Sequence, residues 1–160
     1  MPFYLRHGKR LATRNTEIVV QFRRAPLTLL RGWDGNAPEA NRLVIHVQPD
    51  ERITLHFHAK CPGPIIRLAP VEMNFAYDQL EGSSHSTGYE TLIYDCMIGD
   101  QSLFHRDDMV EAAWRIATPV LQQWESDRKA GFPNYAAGSW GPDAGAALLT
   151  RDGRAWVDPT

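Results

Sequence analysis

The hydrophobic residues of this 160-residue chain change their spacing at its middle, and that change limits the folds available to it. Before residue 78, short runs rich in Val, Ile, Phe and Tyr are separated by Pro, Gly, Asn or Asp, which is typical of β-strands. After the polar stretch 78–88, apolar residues recur every three or four positions, which indicates helices. Strands followed by helices predict an α+β fold, with a mainly antiparallel β-sheet and helices packed on one face.

The pattern also predicts the individual elements. Strands are expected at 16–22, 42–48, 52–59 and 71–77, and the Gln48-Pro49-Asp50-Glu51 link suits the turn of an antiparallel hairpin. The helical stripes are Tyr89, Leu92, Ile93, Cys96 and Met97, and then Val110, Ala113, Ala117, Val120, Leu121 and Trp124. An Asp108-x-x-Glu111 capping box should open the second helix, and Pro119 should kink it. A last short helix should start near Pro142 and stop by Gly153, with Trp114 and Trp124 in the core.

Composition excludes several classes of protein. With 43% hydrophobic residues the chain can bury a core, and a formal net charge of -2 argues against a general nucleic-acid binder. The two cysteines, Cys61 and Cys96, have no CxxC spacing, so we expect neither a disulfide framework nor a cysteine-rich zinc site. The sequence contains no apolar run long enough for a membrane span and opens with no leader pattern. These features predict a cytoplasmic protein without nucleic-acid or membrane partners.

A short basic turn is expected to follow a first strand at the start of the chain, and it precedes the strand predicted at 16–22. It contains Arg6-His7-Gly8-Lys9-Arg10-Leu11, and Arg14 follows. Cations grouped on a loop edge are suited to hold the phosphate of a phosphorylated sugar, because hydrogen bonds between ions are about twice as strong as neutral ones. From charge alone a solvated basic loop is the simpler interpretation.

Four sequence blocks, in order, resemble glucose-6-phosphate dehydrogenases. The first is Pro2-Phe3-Tyr4-Leu5-Arg6-x-Gly8-Lys9-Arg10-Leu11, and the others are 41–51, 95–104, and 111–116 with 137–142. The resemblance runs from residue 2 to about 156 and implies that 1–160 is part of the C-terminal substrate-binding and dimerisation domain. It implies that Lys9 and Arg14 bind glucose 6-phosphate, with Arg6 and Arg10 as supporting charges. It also implies that subunits pair through the sheet as a homodimer or larger homo-oligomer.

Two hallmarks of that family are missing from these residues. The chain has no glycine-rich phosphate turn, and no Asp-His-Tyr motif with the catalytic histidine of the family. The resemblance therefore implies an NADP-dependent enzyme of the pentose phosphate pathway whose base and NADP site lie in an absent N-terminal domain. We expect no catalytic residue here and an inactive isolated chain. Asn15 and His46 stand where animal forms place cations for a second, structural NADP, so no such site is expected.

Three histidines allow an alternative. His56 and His58 share one face of the third predicted strand, and His46 could join them across the hairpin as a transition-metal site. The simpler interpretation places them half-exposed or at a subunit contact on the sheet face away from the helices. The Gly138–Gly145 region resembles a nucleotide loop only weakly, because no βαβ unit precedes it, and Trp140 is better read as the anchor of a tight turn. The alternative function is a non-catalytic oligomerisation module that binds a sugar phosphate or a metal.

Overall fold

The computed structural model describes residues 1–24, 39–80, 88–127 and 131–159. Its backbone contacts divide the chain into two compact units, Met1–Ser83 with Ala136–Thr160, and Ser84–Tyr135. Most of the loop 23–40, where the sequence shows no period, lies outside the described residues, as does most of the polar stretch 78–88. The assignment of residues 1–160 to one partial domain stays a prediction.

The first unit contains a four-stranded antiparallel sheet in the order β1-β2-β3-β4. Its strands are β1 (Thr16–Gln21), β2 (Arg42–Gln48), β3 (Arg52–Lys60) and β4 (Leu68–Ala76). The predicted strands and the antiparallel hairpin between β2 and β3 are confirmed. The fourth strand begins three residues earlier than expected and includes Pro70, opposite His58. Proline is tolerated there because β4 is an edge strand. Among the described residues, no further strand of this sheet lies on its outer side, so none needs a hydrogen bond from the missing N–H.

The strand register divides the sheet into a polar face and an apolar face, since paired residues point to the same side. The polar face carries Glu17, Arg42, His46, Arg52, His56, His58 and Glu72. The apolar face carries Ile18, Leu43, Ile45, Ile53, Leu55, Phe57, Met73 and Phe75. On the apolar face, Ile18 is 55% exposed and Met73 is 62% exposed. The histidines thus lie opposite the face that presents large hydrophobic side chains to solvent.

The second unit contains two helices, α1 (Gly88–Ile98) and α2 (Asp107–Ser126), with Pro119 inside α2. The expected capping box is wrong. The helix begins earlier, after Arg106, and the Asp108 carboxylate accepts hydrogen bonds from the Arg106 guanidinium at 2.8 and 3.1 Å. Arg106 lies two residues before Asp108 and carries a positive charge. Its hydrogen bonds to the Asp108 carboxylate are therefore stronger than the bond from a backbone N–H that a capping box would use.

The expectation that Trp114 and Trp124 are core residues is also wrong. They are 55% and 53% exposed, and Trp124 packs edge-on against Phe132 with ring centroids 5.7 Å apart. The 3.6-residue period predicts correctly which side of a helix is apolar, but it does not specify what covers that side.

A third helix, α3 (Asp143–Arg151), belongs to the first unit. Pro142 is its N-cap residue, one position before the helix, and Gly153 follows its end with φ of 65°, a conformation that favours glycine. The predicted limits of this helix are therefore confirmed. Leu149 on α3 is only 3% exposed, and Val44 on β2 is 5% exposed. These are the buried hydrophobic residues among those that the structure describes. The α+β class is confirmed, whereas packing of the helices on one face of the sheet stays a prediction.

Candidate functional site

The basic turn is held in place by backbone hydrogen bonds to a distant part of the chain. Its Lys9 and Arg10 form the turn itself, and Arg10 has a left-handed φ of 55°. The Arg10 carbonyl accepts a hydrogen bond from the Gly138 N–H at 2.9 Å, and the Ala12 N–H donates to the Ser139 carbonyl at 3.1 Å. Residues 10–12 are thus fixed although they belong to no helix or strand. The strand expected before the turn is wrong, since the first strand of the chain is β1.

The two predicted substrate cations lie in different positions relative to this turn. Lys9 is exposed at the turn, and Arg14 is exposed close to the start of β1. Arg14 lines a shallow cavity of about 200 Å³, and Lys9 does not. The cavity walls are Thr13, Arg14, Asn15, His46, Pro49, Asp50, Arg52 and Pro159. The structure therefore brings Arg14 together with Asn15 and His46, the two residues that the sequence singled out as departures from the family.

Glu17 organises the polar face beside this cavity. Its Oε2 accepts a hydrogen bond from Asn15 Nδ2 at 3.0 Å and lies 3.5 Å from His46 Nδ1. The side chains of Glu17 and His46 are only 11% and 10% exposed. Burial lowers the pKa of His46, and the nearby Arg52 guanidinium lowers it further, against the opposing effect of Glu17. Near neutral pH the imidazole is therefore mainly neutral, and it meets the carboxylate without an ion pair.

The expectation that no structural NADP binds here stays a prediction. Asn15 and His46 face the carboxylate of Glu17 and supply no permanent positive charge, although Arg14 and Arg52 line the same cavity. A carboxylate near a phosphate raises the free energy of binding by charge repulsion. Sequence reasoning did not single out Glu17, because its role follows from the register that places it opposite His46.

Arg6 has a different environment from the other cations of the turn. Its guanidinium lies 4.6 Å from the ring centroid of Trp140 and 4.8 Å from that of Trp156, and its Nη2 contacts Asp158 Oδ1 at 3.0 Å. Its side chain is 18% exposed. Arg6 is thus engaged within the protein. This contact supports the expected anchoring role of Trp140. Arg6 and Trp140 are more than 130 positions apart, so no local sequence pattern indicates that they meet.

The three histidines lie on one face, with His56 and His58 two residues apart on β3 and His46 toward the other end of the β2–β3 hairpin. His46 lies opposite Arg52, and His56 lies opposite Arg42, four residues away along β2, so about 13 Å separates these positions. His56 Nδ1 contacts Glu72 Oε1 at 3.0 Å, and His58 Nδ1 is buried without a hydrogen bond. Within the described ranges, no three His, Cys, Asp or Glu side chains group so that they could hold a metal ion.

Comparisons with known proteins agree with this architecture. Residues 1–157 match the family described as glucose-6-phosphate dehydrogenase, C-terminal domain. The chain is 44% identical over 158 residues to glucose-6-phosphate 1-dehydrogenase of Chlamydia pneumoniae, covering 98% of this chain and 31% of that protein. It is 46% identical over 158 residues to the enzyme of Mycolicibacterium smegmatis, with the same coverage of each.

Solved structures agree as well. A glucose-6-phosphate dehydrogenase in complex with its substrate glucose-6-phosphate superposes with a TM-score of 0.76 at 31% identity, covering 94% of this chain and 30% of that one. The glucose-6-phosphate 1-dehydrogenase of Mycobacterium avium gives a TM-score of 0.65 at 30% identity, covering 96% and 30%. The sheet and helices are thus those of an α+β domain of sugar-phosphate dehydrogenases.

The chain belongs to the glucose-6-phosphate dehydrogenase C-terminal domain family, and the resemblance seen in its sequence blocks is confirmed. It spans about 31% of the length of the curated relatives it matches. Among the described residues, none of the helices combines the length and the apolar character needed to cross a membrane. The roles of Lys9 and Arg14 stay predictions.

Proposed function

We propose that this chain is the C-terminal part of an NADP-dependent glucose-6-phosphate dehydrogenase, and that Lys9 and Arg14 bind the phosphate of glucose 6-phosphate. The observation that carries the proposal is the family match across residues 1–157, which includes the intact Gly8-Lys9-Arg10-Leu11 turn. The turn supports it physically, because Lys9 and Arg14 are exposed while hydrogen bonds fix the backbone between them.

In the proposed reaction, glucose 6-phosphate is oxidised at C1 to 6-phosphogluconolactone. Bound NADP would supply the hydride acceptor. The residues that would hold it, and the general base for the C1 hydroxyl, are assigned to sequence outside this chain. The residues of this chain act on the phosphate, far from the reacting carbon. Their contribution is orientation, which can lower a barrier by several kcal/mol when a bound group is held in a reactive position.

The proposal predicts a specific loss of phosphate recognition. Lys9→Ala and Arg14→Ala should each weaken binding of glucose 6-phosphate to the chain by about 1.5 to 3 kcal/mol, the scale of a charged hydrogen bond. Titration calorimetry measures this, with unphosphorylated glucose as the ligand that should bind weakly to every variant. If the coding sequence extends upstream, kcat/KM of the longer enzyme should fall by a similar factor.

A matched control separates phosphate recognition from general loss of positive charge. Arg67 is exposed and directly precedes Leu68, the first residue of β4. Leu68 pairs with Lys60, so Arg67 lies at one end of the sheet, whereas Arg52 and Arg14 lie at the other end. Arg67→Ala removes the same charge there and should leave the affinity unchanged. Equal affinities for wild type, Lys9→Ala and Arg14→Ala would show that the turn is only a solvated loop.

We also propose a homodimer or larger homo-oligomer in the cytoplasm. The apolar face of the sheet supports self-association, since large exposed apolar patches mark interaction surfaces. The alternative function is a non-catalytic module that binds a sugar phosphate or a metal. The DNA sequence upstream of Met1 distinguishes this module from the enzyme. An in-frame glycine-rich turn and Asp-His-Tyr motif would support the enzyme, and their absence would support the module.

A further inference from the structure

Arg6 is clamped between two indole rings that come from the other end of the sequence. Both ring centroids lie within 5 Å of its Cζ atom, so the cation faces aromatic electrons on two sides. Trp156 is itself fixed, because its Nε1–H donates to the Gly145 carbonyl in α3 at 3.1 Å. Asp158 adds a charged hydrogen bond at 3.0 Å. A cation with these three partners is poorly placed to turn toward an external anion.

A second contact lies two residues earlier in the chain. The Tyr4 hydroxyl donates to Asp152 Oδ2 and accepts from Arg154 Nη1 at 3.1 Å. The Tyr4 ring packs edge-on against Trp156, with centroids 6.5 Å apart. Tyr4 and Arg6 therefore dock the start of the chain on residues 140–158, and the backbone hydrogen bonds to Gly138 and Ser139 continue this docking to Ala12.

We propose that this clasp, defined as Tyr4, Arg6, Trp140, Trp156 and Asp158, positions the basic turn for substrate, with Arg6 as a positioning residue that does not touch the phosphate. The inference rests on the proposed function of Lys9 and Arg14. Its physical basis is that residues 1–15 belong to no helix or strand, so tertiary contacts alone set where Lys9 lies. A binding group is effective only when its neighbours lock its geometry.

The chemistry of the clasp requires arginine. A guanidinium is planar and can stack on two rings while it hydrogen-bonds a carboxylate at its edge, whereas an ammonium is a compact point charge. Arg6→Lys should therefore fail to restore the geometry although it keeps the charge. Asp158→Asn keeps the shape and loses the ion pair, so its effect should be intermediate.

The test follows hydrogen exchange and ligand affinity in the same 160-residue chain. In Arg6→Ala and Arg6→Lys, the Ala12 and Gly138 amides should exchange at least about tenfold faster, because the docking that protects their hydrogen bonds is lost. The affinity for glucose 6-phosphate should fall about tenfold. Lys9→Ala, in contrast, should lose affinity with both amides still protected. Asp158→Asn serves as the milder variant if Arg6→Ala does not fold.

The outcomes separate the clasp from the proposed function. Unchanged exchange of Ala12 and Gly138 in the Arg6 and Asp158 variants overturns the clasp, whatever the chain binds. Loss of affinity in Arg6→Ala with protected amides, or full rescue by Arg6→Lys, also overturns it and makes Arg6 a phosphate ligand. Faster exchange in a chain whose wild type binds no glucose 6-phosphate contradicts the proposed function and supports the docking alone.

Discussion

At the scale of single residues, the partners that a basic side chain can bind depend on its neighbours as well as on its type. Arg6 and Arg14 both belong to the basic region, yet Arg6 is stacked between indoles and Arg14 lines an open cavity. His46 is similar in this respect, since burial and Arg52 keep it mainly neutral beside Glu17. Such differences decide which cations are available to a ligand.

His46 should make the stability of the chain depend on pH. Its folded pKa is lowered, so below the unfolded value of about 6.5 the unfolded chain binds more protons than the folded chain. The free energy of unfolding should therefore fall as the pH drops through about 6.5 toward the folded pKa, and this contribution should be constant above about 7.5. His46→Gln should lack it. Urea unfolding between pH 5.5 and 8 measures the difference.

His7→Gln provides the control for this experiment. His7 is exposed in the same unit, so the substitution should keep the wild-type pH dependence. Parallel pH profiles for wild type and His46→Gln would contradict the assigned environment of His46.

At the scale of elements, the strands and helices follow the sequence pattern, but their burial does not. The alternation along β1, β2 and β3 separates most polar from apolar side chains, with Val19 and Val44 as apolar residues on the polar face. Helix α2 has a clear apolar stripe, yet none of its residues is buried. A periodic pattern is a local property, whereas burial requires a second surface.

Helix α3 offers a test of burial with two adjacent leucines. Leu149 is 3% exposed and Leu148 is 46% exposed on the same helix. Leu149→Ala should lower the free energy of unfolding by about 2 to 5 kcal/mol, because it removes buried methyl groups and leaves a cavity. Leu148→Ala should cost less than about 1 kcal/mol. Denaturant unfolding of both variants checks this, and equal losses would show that Leu149 is not a core residue.

At the scale of the whole molecule, two features bear on catalysis and assembly. The chain spans about 31% of its curated relatives, and the described residues leave much of the sheet's apolar face in contact with solvent. Two consequences can be measured, one in catalysis and one in assembly.

The purified 160-residue chain should not produce NADPH from glucose 6-phosphate and NADP. It holds neither the glycine-rich turn nor the Asp-His-Tyr motif, and a positioned general base alone contributes about 10² to 10⁴ in rate. Absorbance at the NADPH band, against a blank without protein, measures this. Turnover in protein free of the host dehydrogenase would contradict the assignment of the base to another part of the enzyme.

The same chain should associate into dimers or larger species at micromolar concentration, through the apolar face of the sheet. Met73→Glu places a charge on that face and should shift the sedimentation profile toward the monomer. Gln48→Glu adds the same charge on the polar side of β2 and should leave the profile unchanged. A wild-type chain that sediments only as a monomer would exclude this assembly.

The sequence by itself determined the class of fold, the positions of the strands, the hairpin between β2 and β3, and the family, because these depend on local periods and on contiguous motifs. The limits of α3 were also predictable, since Pro142 and Gly153 act on adjacent backbone. Only the tertiary structure decided that Glu17 faces His46, that Arg6 stacks between Trp140 and Trp156, and that Arg14 lines a cavity while Lys9 does not. These contacts join residues far apart in the chain, and no local pattern carries the register or the docking that creates them.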